Sequence, residues 1–436
     1  MNICIVGSGA REHAIARALN RSPQNPTLFC FGSNVNPGIA EQCEVFETGT
    51  ISNPDSVLNF AKECKIDLVI IGPEAPLAAG VADALWAAAV PCVGPTKNHA
   101  QIESSKGFTR NLLKKYSVPG GPKYNVFDSM VGVQKFLIDL GEDYVVKYDG
   151  LMGGKGVKVA GDHLHSHEEA MLYCQELVDA RGSFVIEEKF IGEEFSLMSF
   201  CDGDNLAHMI PVQDHKRAFE GDTGSNTGGM GSYSGADHSL PFLSNSDIEG
   251  AHAINVATAK ALKSEFGDGY KGILYGGFIA TAKGVKLIEY NARFGDPEAM
   301  NVLAVLESDF VEICKSIIDG SLDQKQVSFS RKATVCKYAV PKGYPDSPIK
   351  GKPIDISSVK NIDQLYYASV DVHAGGLIEA GSRTAAVVGI AETLGEAEAE
   401  AEAEVSRIKG PLFHRSDIGT EKLIQKRIDH MNQVRG

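Results

Sequence analysis

Short apolar runs at residues 2–6, 27–31, 67–71 and 91–93 alternate with stretches at 11–20, 55–62 and 77–89 whose apolar positions recur at helical spacing. That alternation predicts a parallel sheet wound with helices over the first hundred residues. A helix over 104–115 carries the chain onward to Val118-Pro119-Gly120-Gly121-Pro122, a breaker that places a boundary near residues 100–120. From about 123 to 190 the pattern reads strand, glycine loop, strand (144–147 and 157–160), then a helix near 168–178 and a strand at 184–187, a small α+β unit. Strands at 194–201 and 206–210 follow, then a glycine-rich loop over 221–235, a long helix over 247–266, and a pair at 272–280 and 285–290 that resembles the central hairpin of an antiparallel sheet. Beyond residue 330, strands at 333–340, 364–370 and 384–390 around a turn at 342–345 predict a last α+β domain.

The tract of alternating Glu and Ala at 396–404 has the period of a strand, but both residues favour helix, and Ala397, Ala401, Val405 and Ile408 then share one face. A helix with a solvated acidic face is expected, in which glutamates four apart repel by roughly a few tenths of a kcal/mol each.

A chain of 436 residues exceeds the size at which one core keeps growing, so two to four domains are expected. With 43% hydrophobic and 22% charged residues, it reads as an ordinary globular protein. The balance of 42 basic against 56 acidic residues, a net charge of -14, argues against nucleic-acid wrapping and against an anionic membrane surface. Small molecules are the expected partners. No apolar run approaches the ~18 residues of a membrane span. Nine scattered cysteines include no C-x-x-C pair and signal neither a zinc site nor a disulfide framework, so reduced core thiols and a cytoplasmic location are expected.

Gly7-Ser8-Gly9-Ala10-Arg11-Glu12 follows the first strand as a dinucleotide-binding turn would, but Glu12 stands where that motif needs its third glycine, which disfavours a dehydrogenase. Either the N–H groups of Gly7 to Arg11 face an anion at a helix N-terminus, or this is a plain βα turn. Glu74, in Gly72-Pro73-Glu74-Ala75-Pro76-Leu77, sits beyond a strand's carboxyl end, where it would meet ribose-type hydroxyls or simply open a helix. Lys147 lies within an apolar strand, an unfavourable place for an ammonium unless an anion meets it, and the glycines that follow, to Gly156, allow the backbone to close over phosphates. The stretch 187–194 ends a strand and continues extended; such a linker can pair with adenine while Glu194 takes ribose, although a solvated acidic turn fits equally. Glu289 and Asn291 share a strand face, two hard oxygen donors suited to Mg²⁺ or Mn²⁺ with phosphate oxygens and water completing the shell. His215, within Gln213-Asp214-His215-Lys216-Arg217, reads as positioning or structural rather than catalytic.

Together, Gly7 to Ala14, Gly72 to Leu77, Ser105-Lys106, Asp149 to Gly156, Gln213 to Arg217, Asn226 to Gly231 and Asn291 to Glu298 closely resemble the phosphoribosylamine-glycine ligases of the ATP-grasp superfamily. The resemblance runs in order from residue 1 to Ile418-Gly419. It implies an α/β protein with a parallel-sheet N-terminal domain like that of biotin carboxylase (1–103), a helical linker (104–122), an ATP-grasp lid (123–190) and central domain (191–328), and a C-terminal α+β domain (329–436). It implies ATP and Mg²⁺ or Mn²⁺, glycine and 5-phosphoribosylamine as substrates, a glycyl phosphate intermediate, and a monomer or weak homo-oligomer. By position it implies ATP contacts from Lys106, Lys147, Gly153, Gly154, Lys155, Gly156, Glu187, Glu188, Phe190 and Glu194, and metal contacts from Glu289 and Asn291. Substrate contacts are implied for Gly9, Glu74 and Lys216, with Asp214, Arg293 and Asp296 beside the reacting groups. Leu151-Met152-Gly153 and Ser382 depart from the usual pattern, and the strand at 273–280 carries no carboxylate for a third metal ligand. The rivals are a ligase for another acid and amine, or a silent ATP-binding scaffold. A scaffold has no need of Lys106, Lys147, Glu289, Asn291 and Asp296 together.

Overall fold

The computed structural model of the chain describes residues 1–152, 156–373 and 375–436. Strands β1 (Asn2–Val6), β2 (Thr27–Gly32), β3 (Val45–Thr48), β4 (Leu68–Ile71) and β5 (Cys92–Val93) form a parallel sheet in the order β3-β2-β1-β4-β5. Helices cover the faces of β1 and β4, which explains why these strands are continuous apolar runs without alternation. The winding reverses between β1 and β4, so the turns after them, at Gly7 and Gly72, meet at a crevice suited to a ligand. The single helix expected over 77–89 is two, Glu74–Ala79 and Val81–Ala87, because Gly80 takes a left-handed φ of 88° between them. The helix expected over 104–115 is Lys106–Lys115, and a further helix that the sequence pattern did not show, Lys97–Ser104, precedes it. Ser105 separates them, extended at φ −136°, with its side chain capping Phe108 N.

Strands β6 (Tyr124–Phe127), β7 (Tyr144–Tyr148), β8 (Val157–Val159) and β9 (Phe184–Glu188) make an antiparallel sheet in the order β6-β9-β7-β8. Two helices back it, Val133–Leu140, which the sequence pattern did not show, and His167–Asp179. Phe127, Leu137, Tyr144, Val146, Cys174 and Phe184 give this unit a core of its own, so it can move as a body.

The chain then runs through β10 (Glu193–Asp202), β11 (Leu206–His208), β12 (Gln213–Asp214), β13 (Arg217–Phe219), β14 (Thr223–Asn226), β15 (Gly231–Ser234), β16 (Lys271–Thr281) and β17 (Gly284–Asn291). Strands β11-β10-β16-β17 form an antiparallel sheet with β16 inside and β17 at the edge. A bulge opposes the consecutive residues Gly277 and Phe278 of β16 to Glu289 and Leu287 of β17, leaving Ile288 as the extra residue.

The remaining strands are β18 (Ala333–Pro341), β19 (Pro353–Ile354), β20 (Leu365–Tyr367), β21 (Val370–His373), β22 (Gly376–Glu379), β23 (Ala385–Ala391) and β24 (Leu412–Phe413). A six-stranded sheet follows the path β12-β15-β18-β23-β20, with β24 also on β18. The stretch 221–235, expected as loop, therefore contains β14 and β15, and the sheet crosses the boundary expected between residues 328 and 329. Close pairing of β15 with β18 needs Gly231, where a Cβ would lie 2.2 Å from Cys336 O.

The Glu-Ala tract forms the helix Leu394–Val405, with Ala397, Ala401, Val405 and Ile408 buried as their spacing implies. Its acidic face is not simply solvated. Lys337 on β18, fully buried, donates to Glu398 (2.6 Å), Glu402 (2.7 Å) and Ser416 O (2.7 Å), so the repulsion expected between glutamates four apart is replaced by a shared cation. All nine cysteines are free and most are buried; burial pushes the Cys174 and Cys201 thiols up to about 12. Among the described residues no helix is long and apolar enough to cross a membrane.

Candidate active site

One cavity of about 1460 Å³ runs between the β6-β9-β7-β8 sheet, the β11-β10-β16-β17 sheet, the crevice of the N-terminal sheet and the C-terminal segments. Lys147 enters it from β7. Its ammonium, buried by the strand on which it sits, touches the Glu187 carboxylate of β9 and donates to Ile288 O at 3.0 Å. Arg110, one turn beyond Lys106 on the same helix, places Nε 2.7 Å and Nη2 3.0 Å from the two oxygens of Glu187. Arg110 Nη2 also donates to Ile288 O at 2.6 Å, so the carbonyl of the bulge residue orders both cations. Burial raises the Glu187 pKa, but Arg110 and Lys147 outweigh it and hold the carboxyl below its usual range; burial pulls the Lys147 ammonium down, with Glu187 opposing.

The anion that Lys147 requires is thus supplied by the protein: Glu187, expected to contact the nucleotide, commits its carboxylate to Lys147 and Arg110. Glu188 and Phe190 do line the cavity. The N–H groups of Glu188 and Lys189 already donate to Lys123 O and Asp143 O, whereas among the described residues no backbone acceptor meets the N–H of Phe190. Lys106 Nζ donates to Gly150 O at 2.7 Å, while Asp149 accepts from Ser105 Oγ and Gly107 N, pinning the start of this helix to the turn after β7. Gly156 lines the cavity; Gly153, Gly154 and Lys155 lie outside the described residues.

Lys216 stands between two carboxylates, 3.8 Å from Glu194 and 3.9 Å from Glu289. Burial raises the Glu289 pKa, but Lys216, Lys147, Lys106 and Arg293 together hold it below the usual range, so the group is an anion. Asn291, two residues on along β17, keeps its oxygen nearly free, with one long contact of 3.5 Å from Arg293. Among the described residues no cluster of three or more His, Cys, Asp and Glu is disposed to hold a metal. Glu289 and Asn291 are a two-oxygen set that suits a hard cation sharing its shell with phosphate.

At the crevice of the N-terminal sheet, Arg293 lies 3.4 Å from Glu74 and 2.9 Å from Glu103, which also accepts from Ala292 N. Burial raises the Glu74 pKa, but Arg293 and Arg11 outweigh it and hold it low; Glu103, more deeply buried, is pushed up. Gly9 departs from expectation. Its N–H donates to Glu12 Oε2 at 2.6 Å, that of Gly7 donates to Phe31 O, and Gly9 is not among the described residues of the cavity wall. Glu12 fills the space of the missing third glycine and also pairs with Arg11 at 2.6 Å. A Cβ on Gly72 would lie 2.1 Å from its Oε1, which accounts for the glycine that opens the Glu74 turn.

Sequence models of phosphoribosylglycinamide synthetase match nearly the whole chain: the N domain over residues 1–103, the ATP-grasp (A) domain over 104–299 and the C domain over 334–421. The chain belongs to the phosphoribosylglycinamide synthetase family. It is 51% identical to a phosphoribosylamine-glycine ligase of Methanosarcina barkeri over 436 residues, with all of both chains covered. A ligase of the same name from Methanocaldococcus jannaschii is 49% identical over 445 residues, again with full coverage. The crystal structure of phosphoribosylamine-glycine ligase from Thermotoga maritima superposes with a TM-score of 0.81 at 28% identity, covering 96% of this chain and 100% of that one. A biotin carboxylase domain from Hydrogenobacter thermophilus, at 14% identity and a TM-score of 0.68 over 99% of this chain and 93% of that one, shares the fold, as the family resemblance implied. The central domain is an ATP-grasp domain, and ATP is its nucleotide.

In this family member the C-terminal segments also reach the cavity. Arg383 donates to Gly228 O (2.7 Å), Gly229 O (3.0 Å) and Asp296 O (3.1 Å) and lies 3.2 Å from the Asp296 carboxylate. Its guanidinium stacks 4.5 Å above the Tyr338 ring, and the Tyr338 hydroxyl donates to Asp296 at 2.6 Å. Asp214 lies nearby; burial and the Glu298 carboxylate push its pKa well up, against Lys216 and Arg383. His215 is buried and its pKa is lowered to about 3, chiefly by burial with Arg427 and Arg415 adding, so the ring is neutral. Residue patterns alone had not marked Arg110, Glu103, Tyr338 or Arg383 for this site. Arg110 carried a signal, four positions from Lys106 on one helix face; Glu103 and Tyr338 carried none.

Proposed function

We propose that the protein joins glycine to 5-phosphoribosylamine at the expense of ATP, through a glycyl phosphate, giving glycinamide ribonucleotide, ADP and phosphate in purine biosynthesis. The observation that carries this reading is a cavity continuous from the lid and hinge, at Lys147 and Phe190, to the crevice at Glu74 and Arg293. A nucleotide and a ribosylamine can therefore meet over one carboxylate.

In this reading Lys106 and Lys147 bind the ATP phosphates, the linker at Glu188 to Phe190 the adenine, and Glu194 its ribose. A glycine carboxylate oxygen attacks the γ-phosphorus, the bond to ADP breaks, and the carboxylate gains a leaving group. The ribosylamine nitrogen then attacks the glycyl carbon; the C–N bond forms, the C–O bond to phosphate breaks, and the nitrogen's proton passes to the departing phosphate. Glu74 and Arg293 orient the ribosylamine, and Asp296, fixed by Tyr338 and Arg383, holds the glycine ammonium with Asp214 beside it. Glu289 and Asn291 are the residues that would hold Mg²⁺ or Mn²⁺, whose chemistry is to neutralise charge on the transferred phosphoryl group. No side-chain nucleophile is involved, so rate comes from positioning and electrostatics. Closure of the unit over residues 123–190 protects the acyl phosphate from water. Free, mostly buried thiols suit a reducing, cytoplasmic setting.

The test is ADP release with glycine and freshly made phosphoribosylamine, omitting each in turn. Glycinamide ribonucleotide should form only in the complete mixture, and its absence there refutes the proposal. Glu289→Ala should remain folded by circular dichroism and lose metal-dependent turnover by about a hundredfold or more, in line with the loss of a key electrostatic group.

A further inference from the structure

The last helix, Glu421–Arg435, begins where the C-domain match ends, yet it lines the cavity with Lys422, Lys426, Arg427 and His430. Arg427 is its pivot. Nη1 lies 3.4 Å from Glu193 and Nη2 lies 2.5 Å from Asp222, so one guanidinium bridges two segments of the wall. His430 Nδ1 lies 2.6 Å from the other oxygen of Glu193. Asp222 is also met by Arg415 at 3.1 Å, and Arg415 is itself forked by Asp417.

Both anchored residues have leverage on the cavity. Glu193 opens β10 with its side chain 7% exposed, while that of Glu194 is 57% exposed. Successive side chains of a strand point to opposite faces, so fixing Glu193 on one face sets the direction of Glu194 on the other. Asp222 turns the chain between β13 and β14 at φ 63°, a backbone conformation that a non-glycine residue keeps only when its surroundings hold it. That hairpin follows directly on Lys216, the residue between Glu194 and Glu289.

We infer that Arg427 and His430 are positioning residues for the nucleotide: by gripping Glu193 and Asp222 from the last helix, they aim Glu194 into the ATP end of the cavity and hold Lys216 beside it. The inference rests on the reading of that end as the nucleotide site. Arg427 and His430 contact Glu193 and Asp222 and make no salt bridge with Glu74, Arg293 or Asp296 among the described residues, so the effect is expected on the nucleotide rather than on glycine.

The experiment is calorimetric titration of ADP into the full-length wild type, Arg427→Ala, Arg427→Lys and His430→Gln, with KM for ATP and for glycine measured in parallel. Arg427→Ala should weaken ADP binding about tenfold, equivalent to about 1.4 kcal/mol, and raise KM for ATP similarly while leaving KM for glycine unchanged. Arg427→Lys, which keeps a cation between the two carboxylates, should recover most of this. His430→Gln, whose side chain is 40% exposed, should fold and show a smaller loss in the same direction, and it decides the matter if Arg427→Ala does not fold. Unchanged ADP affinity in folded variants, or equal rises in both KM values, overturns the inference. A wild type that binds no ADP overturns the reading of the site itself.

Discussion

Lys147 shows how a residue legible as unusual acquires its meaning only in three dimensions. A lysine in an apolar strand announced an anion, but its nearest one is Glu187, on a strand paired with its own, with Arg110 arriving from the helix Lys106–Lys115. Burying this triad is tolerable because each charge has a partner; removing one leaves the others exposed to their desolvation. Glu187→Gln should therefore lower stability at neutral pH by about 3–5 kcal/mol in urea denaturation. The sign with pH follows from its depressed pKa. Ionised Glu187 stabilises the fold above its unfolded value, about 4.3, and that contribution is lost as pH falls through the lower folded value, so the acid-side loss of wild-type stability should flatten in the variant. Asp214 has the opposite sign. Its raised folded pKa means that stability is lost as pH rises from about 3.9 toward the folded value. Asp214→Asn should accordingly gain stability at neutral pH and nothing near pH 3, while turnover falls. A thermal melt at both pH values with a parallel ADP-release assay checks both halves.

Among the elements, the parallel sheet and the β16–β17 hairpin were legible because burial on both faces, or a tight turn, leaves its mark within a few residues. What escaped was set by contacts distant in sequence. The stretch 77–89 is largely apolar and alanine-rich, so the pattern runs unbroken across Gly80, where only the left-handed backbone divides it. β15 reads as a glycine loop because its strand identity comes from β18, about a hundred residues later. The Glu-Ala helix was visible from Ala397, Ala401 and Val405, but nothing near it in sequence pointed to Lys337. Because Lys337 is wholly buried, Glu398→Gln with Glu402→Gln should leave an unmatched ammonium and lower stability by about 3 kcal/mol or more, measurable as a fall in the urea midpoint at an unchanged m-value.

At the scale of the whole molecule, the chemistry is assembled from every part of the chain, and the motif residues are the ones the sequence placed best. Glu74, Lys147, Asp214, Glu289, Arg293 and Asp296 all face one cavity, whereas Gly9 does not. The residues that orient them, such as Tyr338 and Arg383, come from the C-terminal sheet. Tyr338→Phe removes one hydrogen bond to Asp296 while keeping the ring; KM for glycine should rise about tenfold, as for the loss of a bond to a charged group, with KM for ATP unchanged in steady-state assays.

The sheet that joins β12 and β15 to β18 also has a bearing on how the protein is made. Gly231 leaves the ribosome about a hundred residues ahead of Ala333, a delay of roughly 5–20 s at ordinary rates of synthesis. Through that interval the strand beside Asp214 has no neighbour on its β18 side. The nascent chain can build its first sheet and its lid during synthesis, but it becomes an enzyme only after its final third has emerged.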